Sequence, residues 1–168
     1  MLASHLRESK GIQDLINAVS KLPRMIKNEI KIDIYGDGPY KEFLSQKIKD
    51  SQATNNFRFM GSQPNLNELF CQYDYMLQPT HMECFSLSIL ESLAANVPVI
   101  TTNVGGNEEV ITDGENGFIF EAKDSNLLQE ILKNVYLGDQ KITINTRKLI
   151  EDSFSLDKMV ENHFKIIQ

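Results

Sequence analysis

The chain is poor in the residues that mark most specialised protein classes. It has two cysteines, Cys71 and Cys84, in 168 residues. That excludes a disulfide framework and makes free thiols in a reducing compartment the expectation. No apolar run approaches the roughly 20 residues of a membrane span. The opening MLASHLRESKG lacks the apolar stretch of a secretory leader, so a cytoplasmic protein is expected. Positive charge is scarce: the net charge is −6, which argues against nucleic acid as a ligand. From Phe59 through Ala122 there is neither Lys nor Arg, while the same stretch holds nine acids. In YGDGPYK, Gly36 and Gly38 begin a dinucleotide fingerprint, but Lys41 stands where the third glycine belongs, and there is no G-K-[ST]. There is no D-x-D, and the three histidines show no ligand spacing, so neither a metal nor another cofactor is implied.

What is present is an alternation of strand and helix signals within one domain, residues 1–168, of ordinary composition (41% hydrophobic, 24% charged). Ile12, Leu15, Ile16, Val19 and Leu22 follow helical spacing up to Pro23. IKIDIYG alternates with period two and predicts a strand. PYKEFLSQKIKD predicts a helix with Pro39 in its first turn. NFRFMG, YDYMLQP, PVITTN and GFIFE predict further strands. NLNELFCQ, SLSILESLAAN, GNEEVITDG and SNLLQEILKNVYLG predict helical segments between and after them. ITINTRKLIED and LDKMVENHFKII are amphipathic. The stub MLAS reads as a very short first strand or as the end of a longer one, cut from something larger. The pattern predicts an α/β fold: a Rossmann-like, three-layer α/β/α domain with a parallel sheet of about six strands. Ligands in such sheets bind beyond the carboxyl ends of the strands.

Four places there draw attention. Gly36 and Gly38 form either a tight turn or a turn that lets a ligand approach the backbone. Lys10 precedes the first helix, where it is either solvated or holds an anion. Gly105 and Gly106 make either a plain turn or one with exposed amides. The fourth is HMECFSLSILESLAANVPVI, which sets Glu83 and Glu91 in an apolar run with seven residues between them. Burying an unpaired carboxylate costs several kcal/mol, roughly. Glu91 is therefore expected to face water at a cleft or a ligand, and either glutamate can be a half-exposed acid flanking a helix. A carboxylate only accepts hydrogen bonds, so this acid-rich segment suits hydroxyl groups. Any phosphate would need His5, Arg7, Lys10 or Arg58.

Together these stretches resemble the donor-binding half of GT-B glycosyltransferases, specifically the retaining family 4. ECFSLSILESLAANVPVITTNVGGNEE, from Glu83 to Glu109, is similar to that family's pattern E-G-F-x-L-x-x-x-E-A-M-A-x-G-x-P-V-I-x-T-x-x-G-G-x-x-E. DGENGF follows it, and SHLRESKG, GDGPY and FRFMG precede it in the family's order. The resemblance implies one half of a GT-B fold, with an N-terminal acceptor domain absent from this chain. It implies a hexosyltransferase acting on a nucleoside diphosphate sugar such as a UDP-sugar, without metal, and inactive as this domain alone. The acceptor would be a glycan or glycolipid of a surface polysaccharide pathway. The full enzyme would be cytoplasmic or peripheral at the inner face of the plasma membrane.

For the residues, the resemblance implies that Glu83 contacts hydroxyls of the transferred sugar and that Lys10 holds the diphosphate. These two are the candidates for catalytic roles. Backbone amides of Cys84, Phe85 and Ser86 would approach the sugar and diphosphate, and Glu91 would bind the ribose. Gly36 and Gly61 would flank the nucleotide, and both glutamates would act as hydroxyl acceptors that need no basic partner. The chain departs from the pattern at Ser4, His5, Cys84 and Asn96, which replace Gly, Arg, Gly and Gly. His5 weakens the expected diphosphate clamp. Two rival readings are a GT-B-like sugar-nucleotide epimerase domain and a non-catalytic nucleotide- or partner-binding domain.

Overall fold

A computed structural model describes residues 1–158 and 160. Six short strands form the centre: β1 (Leu2–Ala3), β2 (Ile32–Tyr35), β3 (Phe57–Gly61), β4 (Met76–Gln78), β5 (Val99–Thr102) and β6 (Gly117–Phe120). All ladders are parallel, in two three-stranded sheets ordered β1-β2-β3 and β4-β5-β6. β1 and β4 lie side by side. Leu77 N donates to Met1 O (2.7 Å), and the Met1 amino nitrogen donates to Tyr75 O (2.8 Å). The strands therefore run 3-2-1-4-5-6 across a seam. The order reverses at that seam, and α/β sheets bind ligands at such a switch point.

Strands buried on both faces need apolar side chains pointing both ways. Ile32, Ile34, Leu77, Ile100, Phe118 and Phe120 face one way, against α1 (Ile12–Ser20), α3 (Lys41–Asp50) and α6 (Ser125–Leu137). Met76, Val99 and Tyr35 face the other, against Phe70, α4 (Leu87–Ala94) and α5 (Asn107–Val110). Each side chain of this size contributes roughly 1.5–3 kcal/mol when fully buried. Between α1 and β2, α2 (Arg24–Glu29) starts immediately after Pro23, a helix the sequence pattern did not predict. α7 (Thr146–Ser153) packs on α4: Thr146 Oγ1 donates to Leu93 O (2.9 Å), and Arg147 Nε donates to Ala94 O (2.7 Å). Just past α4, Asn96 has a φ of 62°, the left-handed conformation that closes helices.

β2 is the expected strand and is buried at all four positions. Two expectations are corrected. Pro39 and Tyr40 form a turn ahead of α3 rather than its first turn. NLNELFCQ is two 3₁₀ turns, Leu66–Glu68 and Phe70–Gln72. The stretch LDKMVENHFKII lies largely outside the described residues.

Candidate functional site

The loops at the carboxyl ends of the strands are stitched to one another by backbone. After β1, Leu6 N donates to Asp37 O (3.0 Å), and Tyr40 N donates to Leu6 O (3.1 Å). Gly36, at φ 118°, lies so close to this loop that a Cβ would come within 2.0 Å of Ser4 O; one on Gly38 would meet Leu6 O at 2.4 Å. The close approach these glycines permit is thus to the protein's own chain. Gly106 N donates to Cys84 O (2.8 Å), so that amide is occupied. Gly61, at φ 70°, has open space where a side chain would be, and its carbonyl accepts from Gly36 N (2.9 Å).

Lys10 and Glu83 meet across the seam. Lys10 closes a 3₁₀ turn after β1, and Glu83 lies on the loop after β4. Lys10 Nζ lies 2.8 Å from Glu83 Oε2, with side chains 23% and 18% exposed. The expectation that Glu83 needs no basic partner is therefore corrected. Its partner comes from 73 residues upstream, because the strand order sets β1 beside β4. Gln78, the buried last residue of β4, supports the pair. Its Nε2 donates to Glu83 Oε2 (3.3 Å), and its Oε1 accepts from Ser86 Oγ (2.8 Å). Below it, Thr101 Oγ1 donates to Gln78 O (3.0 Å), and Asn107 Nδ2 donates to Thr101 Oγ1 (3.0 Å).

The two loops are also fastened to each other. His81 N donates to Ser9 O (2.7 Å), and the His81 ring is hydrogen-bonded to the Asp14 carboxylate on α1. Thr80 Oγ1 donates to Ser9 O (3.2 Å) and Met82 O (2.9 Å). Gly11, at φ 65°, sits against Pro79 O. Gln78, His81 and Asp14 were not singled out from the sequence. A Gln ending an otherwise apolar strand was the available signal; the His81–Asp14 pairing had none.

Among the described residues, the amides of Cys84, Phe85 and Ser86 donate to no acceptor. They precede α4, whose unpaired N–H groups attract anions. α4 buries Ile89, Ser92 and Leu93 and leaves Glu91 exposed and without a partner among the described residues. Ser88, one turn before Glu91, lines a cavity of about 560 Å³ together with Ser4, His5, Gly36, Gly38 and Gln63. Drug-sized ligands occupy clefts of roughly 300–1,000 Å³. The Oγ of Ser4, buried there, has no partner. His5, which lines this cleft, and Arg7 are exposed, whereas Arg58 is engaged elsewhere, by Asp33. A larger hollow of about 830 Å³, lined by Ile30, Tyr75, Pro98 and Ile142, opens at the opposite ends of the strands, away from these groups.

A parallel α/β sheet whose strand order reverses at a seam defines a Rossmann-type domain. More narrowly, the chain belongs to the family "glycosyl transferases group 1", whose profile matches residues 2–152. It is 30% identical over 164 residues to N-acetyl-alpha-D-glucosaminyl L-malate synthase of Bacillus anthracis, covering 95% of this chain and 42% of that protein. The chain thus spans less than half the length of this relative. It shares its fold with Anabaena Alr3699/HepE, solved in complex with UDP, at a TM-score of 0.88 and 22% identity, covering 99% of this chain and 48% of the other. It also matches the C-terminal domain of a glycosyl transferase group 1 family protein (LpcC) from Francisella tularensis. There the TM-score is 0.77 at 25% identity, over 92% of this chain and 85% of that one. The fold is one half of GT-B.

Proposed function

We propose that this domain binds the nucleoside diphosphate sugar from which a retaining glycosyltransferase moves a hexosyl unit to an acceptor hydroxyl. The observation that carries this reading is the meeting of Lys10, Glu83 and the unbonded amides of residues 84–86 at the seam, beside a cleft of nucleotide size. Lys10 and the amides suit a diphosphate, and they would stabilise the charge that grows on it as the glycosidic bond breaks. Glu83 Oε1, which has no partner among the described residues, suits a sugar hydroxyl. Glu91 and the cavity beside Ser88 suit the ribose and base. Support for a uridine nucleotide comes from neighbours solved with UDP and UDP-glucose. The acceptor, a glycan or glycolipid in surface polysaccharide synthesis, would be held by a further domain of the full enzyme. That enzyme would work in the cytoplasm or at the inner face of the plasma membrane. Among the described residues no helix is long and apolar enough to cross a membrane.

The test is titration calorimetry with UDP, GDP, ADP and their glucose conjugates on the wild type, Lys10→Ala and Glu91→Ala. One nucleotide should bind saturably, and each substitution should weaken it by about tenfold, the scale of losing a hydrogen bond to a charged group. Absence of saturable binding at millimolar ligand would sink the proposal.

A further inference from the structure

Resting on that reading, we infer that the Lys10–Glu83 ion pair is a selectivity latch: Glu83 masks the charge of Lys10 from bare phosphates, and a ligand whose diphosphate carries a second sugar with a hydroxyl for Glu83 binds at an advantage.

The argument begins with scarcity. No Lys or Arg lies between Phe59 and Ala122, so the loops after β4 and β5 bring no ammonium or guanidinium of their own, and the His81 ring there is turned to Asp14. Lys10 is the ammonium that reaches the free amides' loop, and its charge is already engaged by Glu83 at 2.8 Å. Both side chains are mostly withdrawn from water, which strengthens their attraction relative to a fully solvated pair. An incoming phosphate must compete with the carboxylate for Lys10.

The backbone gives little scope for evading that competition. The Lys10 turn is fixed to the loop after β4 by His81 N to Ser9 O and by Thr80 Oγ1 to Ser9 O. On the other side, a Cβ on Gly105 would come within 1.8 Å of Glu83 O, and Gly106 N holds Cys84 O. The two Cα positions are therefore set, and what can change is where the two side-chain ends point. A hydroxyl donating to Glu83 stabilises the carboxylate while its hold on Lys10 is shared with the diphosphate. UDP has no sugar hydroxyl to offer there, whereas UDP-glucose does.

The test is a double-mutant cycle: wild type, Glu83→Gln, Lys10→Ala and the double variant, each titrated with UDP and with UDP-glucose. Thermal unfolding midpoints confirm that each variant folds. Glu83→Gln should tighten UDP by about two- to fivefold, the scale of one partly exposed ion pair. The preference for UDP-glucose over UDP should shrink. In the Lys10→Ala background the same Glu83→Gln change should give no gain. If UDP binds Glu83→Gln no better than wild type, Glu83 positions Lys10 and the latch is wrong. If the gain persists without Lys10, simple repulsion by the carboxylate explains it and the latch is again wrong. A wild type that binds neither ligand would instead remove the donor-site reading itself, and the latch with it.

Discussion

Two ion pairs serve the sheet, one within the β1-β2-β3 half and one across the seam, and they are built differently. In the β1-β2-β3 half, Asp33 is buried on β2 and fully engaged. Arg58 Nε and Nη2 donate to its two oxygens at 2.7 Å each, and Tyr73 donates to Oδ2 at 2.8 Å. Tyr73 in turn shares a hydrogen bond with Tyr35 (2.7 Å). The Arg58 bonds, with Tyr73 adding to them, hold the Asp33 carboxyl below its ordinary value of 3.8. Across the seam Glu83 is less buried, bonds through one oxygen only among the described residues, and is followed in the chain by three amides that donate to nothing among them. A carboxylate with both oxygens bonded has little capacity left for a ligand; one bonded through a single oxygen has more. The contrast separates a structural ion pair from one poised for exchange.

The comparison can be broken or sharpened in three ways. The largest effect is expected from Gly105→Ala, which sets a methyl group against Glu83 O at a positive φ of 57°. Left-handed strain and overpacking together should cost about 3 kcal/mol or more in urea unfolding. A loss below 1 kcal/mol would show that the Glu83 loop moves freely. Next comes the pair itself. Asp33→Ala removes the acceptor shared by Arg58 and Tyr73 and should lower stability by about 2–3 kcal/mol. Glu83→Gln should change stability by no more than about 0.5 kcal/mol, since one partly exposed pair is at stake. Equal losses would erase the distinction between the two.

The smallest effect is in pH. Because folding depresses the Asp33 pKa, its contribution is fully present above the ordinary value of 3.8 and is lost as the pH falls through the lower folded value. Acid unfolding of Asp33→Asn should lack that part of the limb when followed by circular dichroism between pH 5 and 2. Superimposable acid limbs for wild type and Asp33→Asn would contradict the assignment.

Much of this could be read before any coordinates. Residues such as Ile12, Leu15, Ile16 and Val19 announce α1 because helical periodicity is local, and the strands announce themselves the same way. The glycines at 36, 38, 105 and 106 were visible as turns, but not what they turn against: Ser4 O, Leu6 O, Glu83 O and Cys84 O come from distant loops. The partner of Glu83 was hidden for the same reason. Within HMECFSLSILESLAANVPVI no cation exists, and only the strand order brings Lys10 to it. Asp33 was also obscured, since a single acid in a short strand reads as an exposed position until Arg58 and Tyr73 arrive from β3 and the segment before β4.

The seam has a consequence in time as well as in space. β1 pairs with β2 and β2 with β3 as the chain proceeds, and β4, β5 and β6 do likewise. Each leaf can therefore assemble from comparatively near neighbours, whereas joining the leaves requires contacts 73 and 74 residues apart. Loop closure over that span is entropically unfavourable before it is rewarded, so the joining step belongs late in folding. Lys10 and Glu83 come from opposite leaves. A chain with both leaves formed but undocked has no such pair, and any ligand that bridges the two residues acts as a clasp on the final closure.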